Sequence, residues 1–497
     1  MPKPKLAVLG DSLSQGFQSG AIWRTDLSYP CMIAKALGVT PGTDFRFPII
    51  PGRGRLPDDA DGPQVLGLPF NIEEALRFVQ RATGEDVSTL EWLVQFPFRL
   101  AQQFDATEEY YERGEGDRPQ PVAETYHNLA VWGFTVHDAI ALTPEACDAI
   151  IAQEEGRRAD DPFSSPSASQ YRTGKMVLNP GNRRELRRST MVDRLRQLVE
   201  AEGEPEILII WLGANDCLGT VLDLQVRDMA DSSSIVPSDP ASRYKRWNLT
   251  SVNQFKSDYG QLVAEVHAIV GTRSQVFVGT VPKVTIPPVV RGLGSFDGQH
   301  FGAYGRFFLT ESTFEPALHK HLTRAQAIMI ESRIDAFNRS IRELVAVHAN
   351  WHVVDAAGAL DRLAVRRNNF SDDPGKALRR YYEGHPGPKA HPLLRLNPIP
   401  SLLMLDTAEQ GQRQGGGLMS LDGVHPSTIG YGIVAELFLA EMKKADIAGA
   451  DPLKLDWPGI IQQDSLLKGA PAVWDDVRQS AHAHGLLWEA VFRMLTG

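Results

Sequence analysis

The stretch Leu6-Ala7-Val8-Leu9-Gly10-Asp11-Ser12-Leu13-Ser14-Gln15-Gly16 sets the frame for the whole chain. Its apolar run is short, continuous and closed by turn residues, which reads as a strand buried on both faces. Gly10 permits a tight exit, because glycine carries no side-chain penalty at unusual backbone angles. Ser12 then falls just beyond the carboxyl end of the strand, where open parallel sheets bind their ligands. A serine so placed is a nucleophile if a base reaches it. In the competing reading, Asp11 or Ser12 only caps the next helix. This stretch alone leaves both open; the base and the oxyanion donors must come from elsewhere in the chain.

Outward from it, further strands are expected at residues 43–50, Tyr126 to Gly133, Glu206 to Leu212, Gln275 to Val281 and Trp351 to Asp355. Helical spacing appears over Tyr29 to Leu37, from near Thr135, over Met191 to Ala201 and Val252 to Val270, from about Arg324 to His348, and from Pro426 to about Lys444. Thr143 as N-cap with Pro144 at the first position starts another helix. Strands alternating with helices argue for a parallel sheet with helices on both faces. No repeat of solenoid period interrupts the pattern.

Between these elements the composition shifts. We read one domain over 1–446 with insertions at about 51–120, 156–188, 217–245, 285–322 and 360–418, and a helical extension over 447–497. Pro51 to Pro69 is rich in Gly, Pro and Asp and reads as loop. Ile72 to Ala82 and Leu90 to Tyr111 read as amphipathic helices, the second broken at Phe96-Pro97-Phe98. Residues 156–185 read as polar loop and 217–245 as irregular. In the tail, one helix is expected over Trp474 to Leu495.

The formal net charge of −10 carries no clustered basic face of the kind nucleic acid requires. Arg183, Arg184, Arg187, Arg188, Arg366 and Arg367 read as solvated surface. Cys31, Cys147 and Cys217 are the only cysteines, an odd set that suits neither a disulfide framework nor a zinc ribbon. No apolar run approaches the roughly 20 residues of a membrane span. The first strand begins within about five residues, with no leader pattern before it. A cytoplasmic protein is expected, and the sequons at Asn248, Asn338 and Asn369 read as chance matches.

Three strands end in chemically useful groups: Ser12, Gly133 and Asn215. A fourth element, Asp422 to His425, precedes the last core helix. The carboxyl ends of parallel strands share one edge, so these residues are expected to converge. Acyl transfer at serine needs a base suited to neutral pH, which His425 supplies. It needs a carboxylate to orient that imidazole, and Asp422 lies three residues before it. It also needs preorganised oxyanion donors, here the N–H of Ser12, the N–H of Gly133 and the amide of Asn215. Asp11 and Asp216 read as loop braces, and His127 and His137 as structural. His300, His319 and His321 lack metal-site spacing. Asp58, Asp59 and Asp61 lack the ordered calcium loop. Gly292-Leu293-Gly294 does not join a strand to a helix as a dinucleotide site requires. Phe296, Phe301, Tyr304, Phe307 and Phe308 read as a packing cluster, with an acyl-pocket wall as the alternative.

Gly10-Asp11-Ser12-Leu13, Asn128 to Gly133, Gly213-Ala214-Asn215-Asp216 and Asp422-Gly423-Val424-His425-Pro426 resemble, in order, the four blocks of the GDSL (SGNH) hydrolase family. The resemblance covers the core elements and not the insertions. It implies a flavodoxin-like three-layer α/β/α fold around a central parallel sheet. It implies an esterase or lipase acting on a small-molecule or lipid ester, with no metal or organic cofactor. Ser12 maps to the family nucleophile, Asp422 and His425 to the dyad, and Ser12, Gly133 and Asn215 to the oxyanion hole. Trp132 is bulkier than the small residue expected before the oxyanion glycine. Two alternatives stand beside hydrolysis: an acyltransferase using the same acyl-enzyme, and a non-catalytic binding protein on the same fold.

Overall fold

The computed structural model describes residues 4–49, 67–83, 102, 105–119, 125–155, 168–233, 246–383, 391–407, 413–469 and 471. Its centre is a four-stranded parallel sheet: β1 (Leu6–Gly10), β2 (Ile207–Trp211), β3 (Gln275–Gly279) and β4 (Trp351–Val354), side by side in that order. Register is continuous, with Leu6 opposite Ile207 and Gly10 opposite Trp211, then Ile207 opposite Gln275 and Ile210 opposite Val278. β1 and β2 are buried throughout, as expected for apolar runs covered on both faces.

Helices fill the connections. α1 (Ser12–Gln15) follows β1 directly, and α2 (Tyr29–Ala36) packs along α8 (Thr428–Lys444). The Trp211 ring lies against Tyr29 of α2 and Phe438 of α8, so these two helices clamp the end of β2. α6 (Val252–Val270) packs on α3 (Val136–Ala141), α5 (Met191–Glu202) and α7 (Arg324–Val345). Phe255 of α6 stacks on Phe337 of α7 with ring centroids 3.9 Å apart. Capping boxes at Thr135–Asp138, Thr190–Asp193 and Thr323–Gln326 fix three helix starts by satisfying first-turn N–H groups.

The structure corrects several expectations. Residues 126–131 are not a regular strand: only Val8 and Asn128 form a bridge, although Leu129 N and Val131 N donate to carbonyls of β1. The Asn128 side chain competes for backbone partners, its Oδ1 accepting from Ala130 N and its Nδ2 donating to Ser14 O. Residues 43–49 form no strand either: Thr43 and Asp44 lie in a turn, Phe45 makes only an isolated bridge to Pro41, and the Arg46 carbonyl accepts from His127 N and Asn128 N.

The stretch read as polar loop contains α4 (Ser169–Leu178), whose Gly174 lets it approach Cys147 and Phe134: a Cβ there would sit 3.2 Å from each side chain. The 285–322 insertion holds a three-stranded antiparallel sheet of Val290–Phe296, Phe301–Arg306 and Leu322–Thr323. Glycine hid these strands. A Cβ at Gly292 would meet the Phe301 ring at 2.1 Å, so the strand gives up a side chain where an aromatic crosses it.

The 360–418 insertion carries a helix at Gly375–Glu383 and a hairpin at Leu405–Thr407 with Arg413–Gly416. In the tail, Trp457–Gln463 and Ser465–Lys468 are helical. Of the expected helix over Leu90 to Tyr111, residues 102 and 105–111 are helical; its other residues, the expected helix over Trp474 to Leu495 and the Asp58–Asp61 cluster lie outside the described residues. Among the described residues no helix is long and apolar enough to cross a membrane.

Candidate active site

Ser12 is the first residue of α1, at the carboxyl end of β1. Asp11 is the N-cap, its Oδ1 accepting from Leu13 N at 3.1 Å. Of the two readings of the opening stretch, the cap is made by Asp11, so the Ser12 hydroxyl is not used in it. Among the described residues Ser12 N has no acceptor, as befits one of the unpaired donors of a helix start. Gly10 is required by space, its φ lying outside the positive-φ range. A Cβ there would meet Ser14 Oγ at 2.3 Å and Trp211 O at 3.2 Å.

His425 Nε2 lies 2.9 Å from Ser12 Oγ, and His425 Nδ1 lies 3.0 Å from Asp422 Oδ2. An ionised carboxylate only accepts, so Nδ1 carries the proton and Nε2 presents its lone pair to the serine hydroxyl. Four donors hold Asp422: the N–H groups of Val424 and His425 on Oδ1, and those of Gly20 and the His425 ring on Oδ2. Burial pushes its carboxyl up, but the electrostatic pull of the His425 imidazole and the hydrogen bonds from His425 and Val424 outweigh that and hold it below the ordinary carboxylate range.

The turn that carries both residues is built from its backbone. Ser420 N donates to His425 O, and Gly423 N to Ser420 O. Gly423 has φ +69°, and a Cβ on it would meet Val289 N at 2.8 Å, so only glycine suits both the angle and the space. Ser19 N donates to Ser420 Oγ and Leu421 N to Ser19 Oγ, which ties the turn to the segment after α1. Phe17 covers the imidazole, its ring centroid 4.5 Å away.

Opposite this turn stand Gly133 and Asn215. Both line a cleft with Ser12, Asp422 and His425 that encloses about 1090 Å³ counted out into open solvent. Gly133 has φ +75°, and a Cβ on it would press into the Gln170 side chain at 2.7 Å. Asn215 follows β2 on a short turn and donates from Nδ2 to Phe134 O, leaving that nitrogen one further hydrogen. Asp216 braces the same turn, accepting from Val136 N and from Thr250 Oγ1. Trp132 is anchored by two donations, from its N to Gln15 Oε1 and from its Nε1 to Thr173 Oγ1, so the bulky ring forms a fixed wall of the cleft.

Asp11 is fully buried beside this arrangement. Burial raises its carboxyl to about 7; the Leu13 N–H works against that rise and the nearby Asp216 adds to it. The N-cap acid next to Ser12 therefore exchanges its proton near neutral pH.

The convergence foreseen from topology is observed for Ser12, Gly133, Asn215, Asp422 and His425. Other candidates lie elsewhere. His127 bonds Arg46 N and Glu202, and His137 sits 3.3 Å from Asp258; neither lines the cleft. His300 bonds Glu331, His319 accepts from Glu315 N and His321 bonds the His319 carbonyl, three separate structural roles. Among the described residues no group of three or more His, Cys, Asp or Glu is placed to hold a metal ion. Phe301, Tyr304 and Phe307 wall a different cavity, with Arg291, Arg366 and Arg367, that does not include Ser12.

Sequence reasoning missed Gln170, Trp247 and Thr250 as cleft residues. Gln170 falls in a stretch read as loop, and Trp247 and Thr250 flank a segment with no periodicity. Compared with known proteins, the chain matches no family model, no curated protein and no solved structure.

Proposed function

We propose that this protein is a serine hydrolase of carboxylic esters, of the esterase or lipase type. The observation that carries the reading is the unbroken chain Asp422 Oδ2, His425 Nδ1, His425 Nε2, Ser12 Oγ, with links of 3.0 and 2.9 Å. Ser12 Oγ attacks the ester carbonyl while His425 Nε2 takes its proton. Asp422 holds the tautomer and stabilises the imidazolium. The N–H of Ser12 and the amide of Asn215, with the Gly133 backbone as the third donor, receive the oxyanion, each worth about 3–4 kcal/mol in the transition state.

The intermediate collapses as the alcohol leaves with the proton from Nε2. Water then gives a proton to His425 and attacks the acyl carbon; Ser12 Oγ departs and takes that proton back, releasing the acid. No group beyond these side chains enters the scheme.

The resemblance to the GDSL (SGNH) family supports the same assignment and would make the fold flavodoxin-like, with helices layered on both faces of the sheet. Three buried free thiols, Cys31, Cys147 and Cys217, suit a cytoplasmic setting. The test is turnover of p-nitrophenyl esters. Purified protein is expected to release p-nitrophenol, and Ser12→Ala to lose at least ~10⁴-fold in kcat with its melting temperature kept. Equal turnover by the variant refutes the nucleophile.

A further inference from the structure

A second cleft opens on the other side of the same two residues. Ser12, Leu218, Val424 and His425 line both it and the cleft described above. The second encloses about 910 Å³ counted into open solvent. Its walls are the segment Pro282–Pro287, the helix Ala356–Leu363, Leu402 and the apolar side of α8, including Ile433, Val434 and Leu437. Apart from Ser12 and His425, the only titratable side chain among the described residues that line it is Lys283. Its Nζ lies 3.7 Å from Glu331 and from Asp361, so the charge is engaged with those carboxylates. The first cleft differs in kind: Gln170, Asn215, Trp247 and Asn248 stand in its walls.

We infer that the two clefts divide the ester between them, and that the apolar groove takes an aliphatic acyl chain. The inference rests on the ester-hydrolase reading above. At the tetrahedral carbon on Ser12, the oxyanion points to Ser12 N and Asn215, which face the first cleft. Two substituents remain, the acyl carbon and the leaving oxygen. A hydroxylated or otherwise polar alcohol in the groove would lose its hydrogen bonds to water with nothing to replace them. An alkyl chain there loses nothing and gains about fourfold in binding per buried methylene. The attacking water of the second step needs a polar approach, which only the first cleft offers. The acyl chain therefore runs under Val424 into the groove, and the alcohol leaves through the first cleft. Ala356 and Ala359 keep the groove wide, since a larger side chain at either would enter it.

The experiment compares kcat/KM for p-nitrophenyl acetate, butyrate and octanoate in the full-length protein. The wild type is expected to favour octanoate over acetate by at least about 30-fold. Ala359→Phe, which narrows the groove, should cut octanoate turnover at least about 30-fold and acetate less than about 3-fold. Val434→Asn, which adds an amide without bulk, should shift selectivity the same way and decides the matter if Ala359→Phe does not fold. Leu222→Phe, in the first cleft, should leave chain-length selectivity unchanged. A wild type indifferent to chain length, or selectivity that moves with Leu222→Phe and not with the groove variants, overturns the division while leaving the hydrolase reading intact. No turnover of any ester, with Ser12 inert to a fluorophosphonate, overturns both.

Discussion

The two arms of the site are built in opposite ways. The base arm, Ser420 to His425, is local: acid and base lie three residues apart in one turn, and every donor to Asp422 except Gly20 comes from that turn. The oxyanion arm is assembled from three distant elements, with Gly133 after residue 131, Asn215 after β2, and α4 bringing Gln170 against Gly133. It is held mainly by side chains: Asn215 on Phe134 O, Asp216 on Val136 N and Thr250, Trp132 on Gln15 and Thr173. A compact turn makes the base arm rigid by short loops, whereas the other arm depends on the packing of the whole sheet edge. Losses in the base arm should be chemical and nearly all-or-none. Losses in the oxyanion arm should be graded.

The largest effect separating the arms is expected from Asp422→Asn. The amide can hold the ring in the wrong tautomer, and kcat should fall about 10⁴-fold with KM little changed. Asn215→Ala should cost about 10²–10³-fold in kcat, one donor's worth. If steady-state kinetics give equal losses for the two, the contrast between the arms collapses.

Gly423→Ala probes the backbone of the base arm. It forces φ +69° on a residue with a side chain and presses that side chain on Val289 N. A loss of at least about 1–2 kcal/mol of stability is expected, read as a lower denaturant midpoint. An unchanged midpoint would mean that the turn has other shapes available.

The last effect is read in the pH dependence of stability, at Asp11, the acid buried beside Ser12. Its carboxyl is raised from 3.8 to about 7 by burial. The native state therefore holds this proton more tightly than the unfolded chain. Its contribution to stability is complete below about pH 4 and is lost as pH rises through about 7. Asp11→Asn keeps an acceptor for Leu13 N and removes the titration. The variant's melting temperature should lie above the wild type's at pH 8 and converge toward it at pH 5. A gap of the same size at both pH values contradicts the buried-acid account.

The same contrast explains what could be read from the sequence. The base arm was legible because its chemistry is contiguous: Asp422, Gly423 and His425 carry acid, turn and base within four residues. β1 and β2, and β3 beyond Gln275, were legible because both-face burial leaves apolar runs. The oxyanion arm was legible only at Gly133 and Asn215, the residues that end a strand or a strand-like segment. Gln170 was not, because α4 is polar and carries Gly174 for a tertiary reason, its approach to Phe134. Nor were the strands of the 285–322 insertion, where Gly292 replaces a side chain with room for Phe301. Where a residue's identity is set by a neighbour far along the chain, local pattern says little.

In the proposed mechanism Ser12 is activated by His425 under the control of Asp422. The most direct measurement is the rate and position of labelling by a fluorophosphonate, followed by intact mass and peptide mapping. The account predicts one adduct per chain, on Ser12, forming at least about 10³-fold more slowly in Asp422→Asn. An adduct on another residue, or the same labelling rate in both proteins, would contradict it.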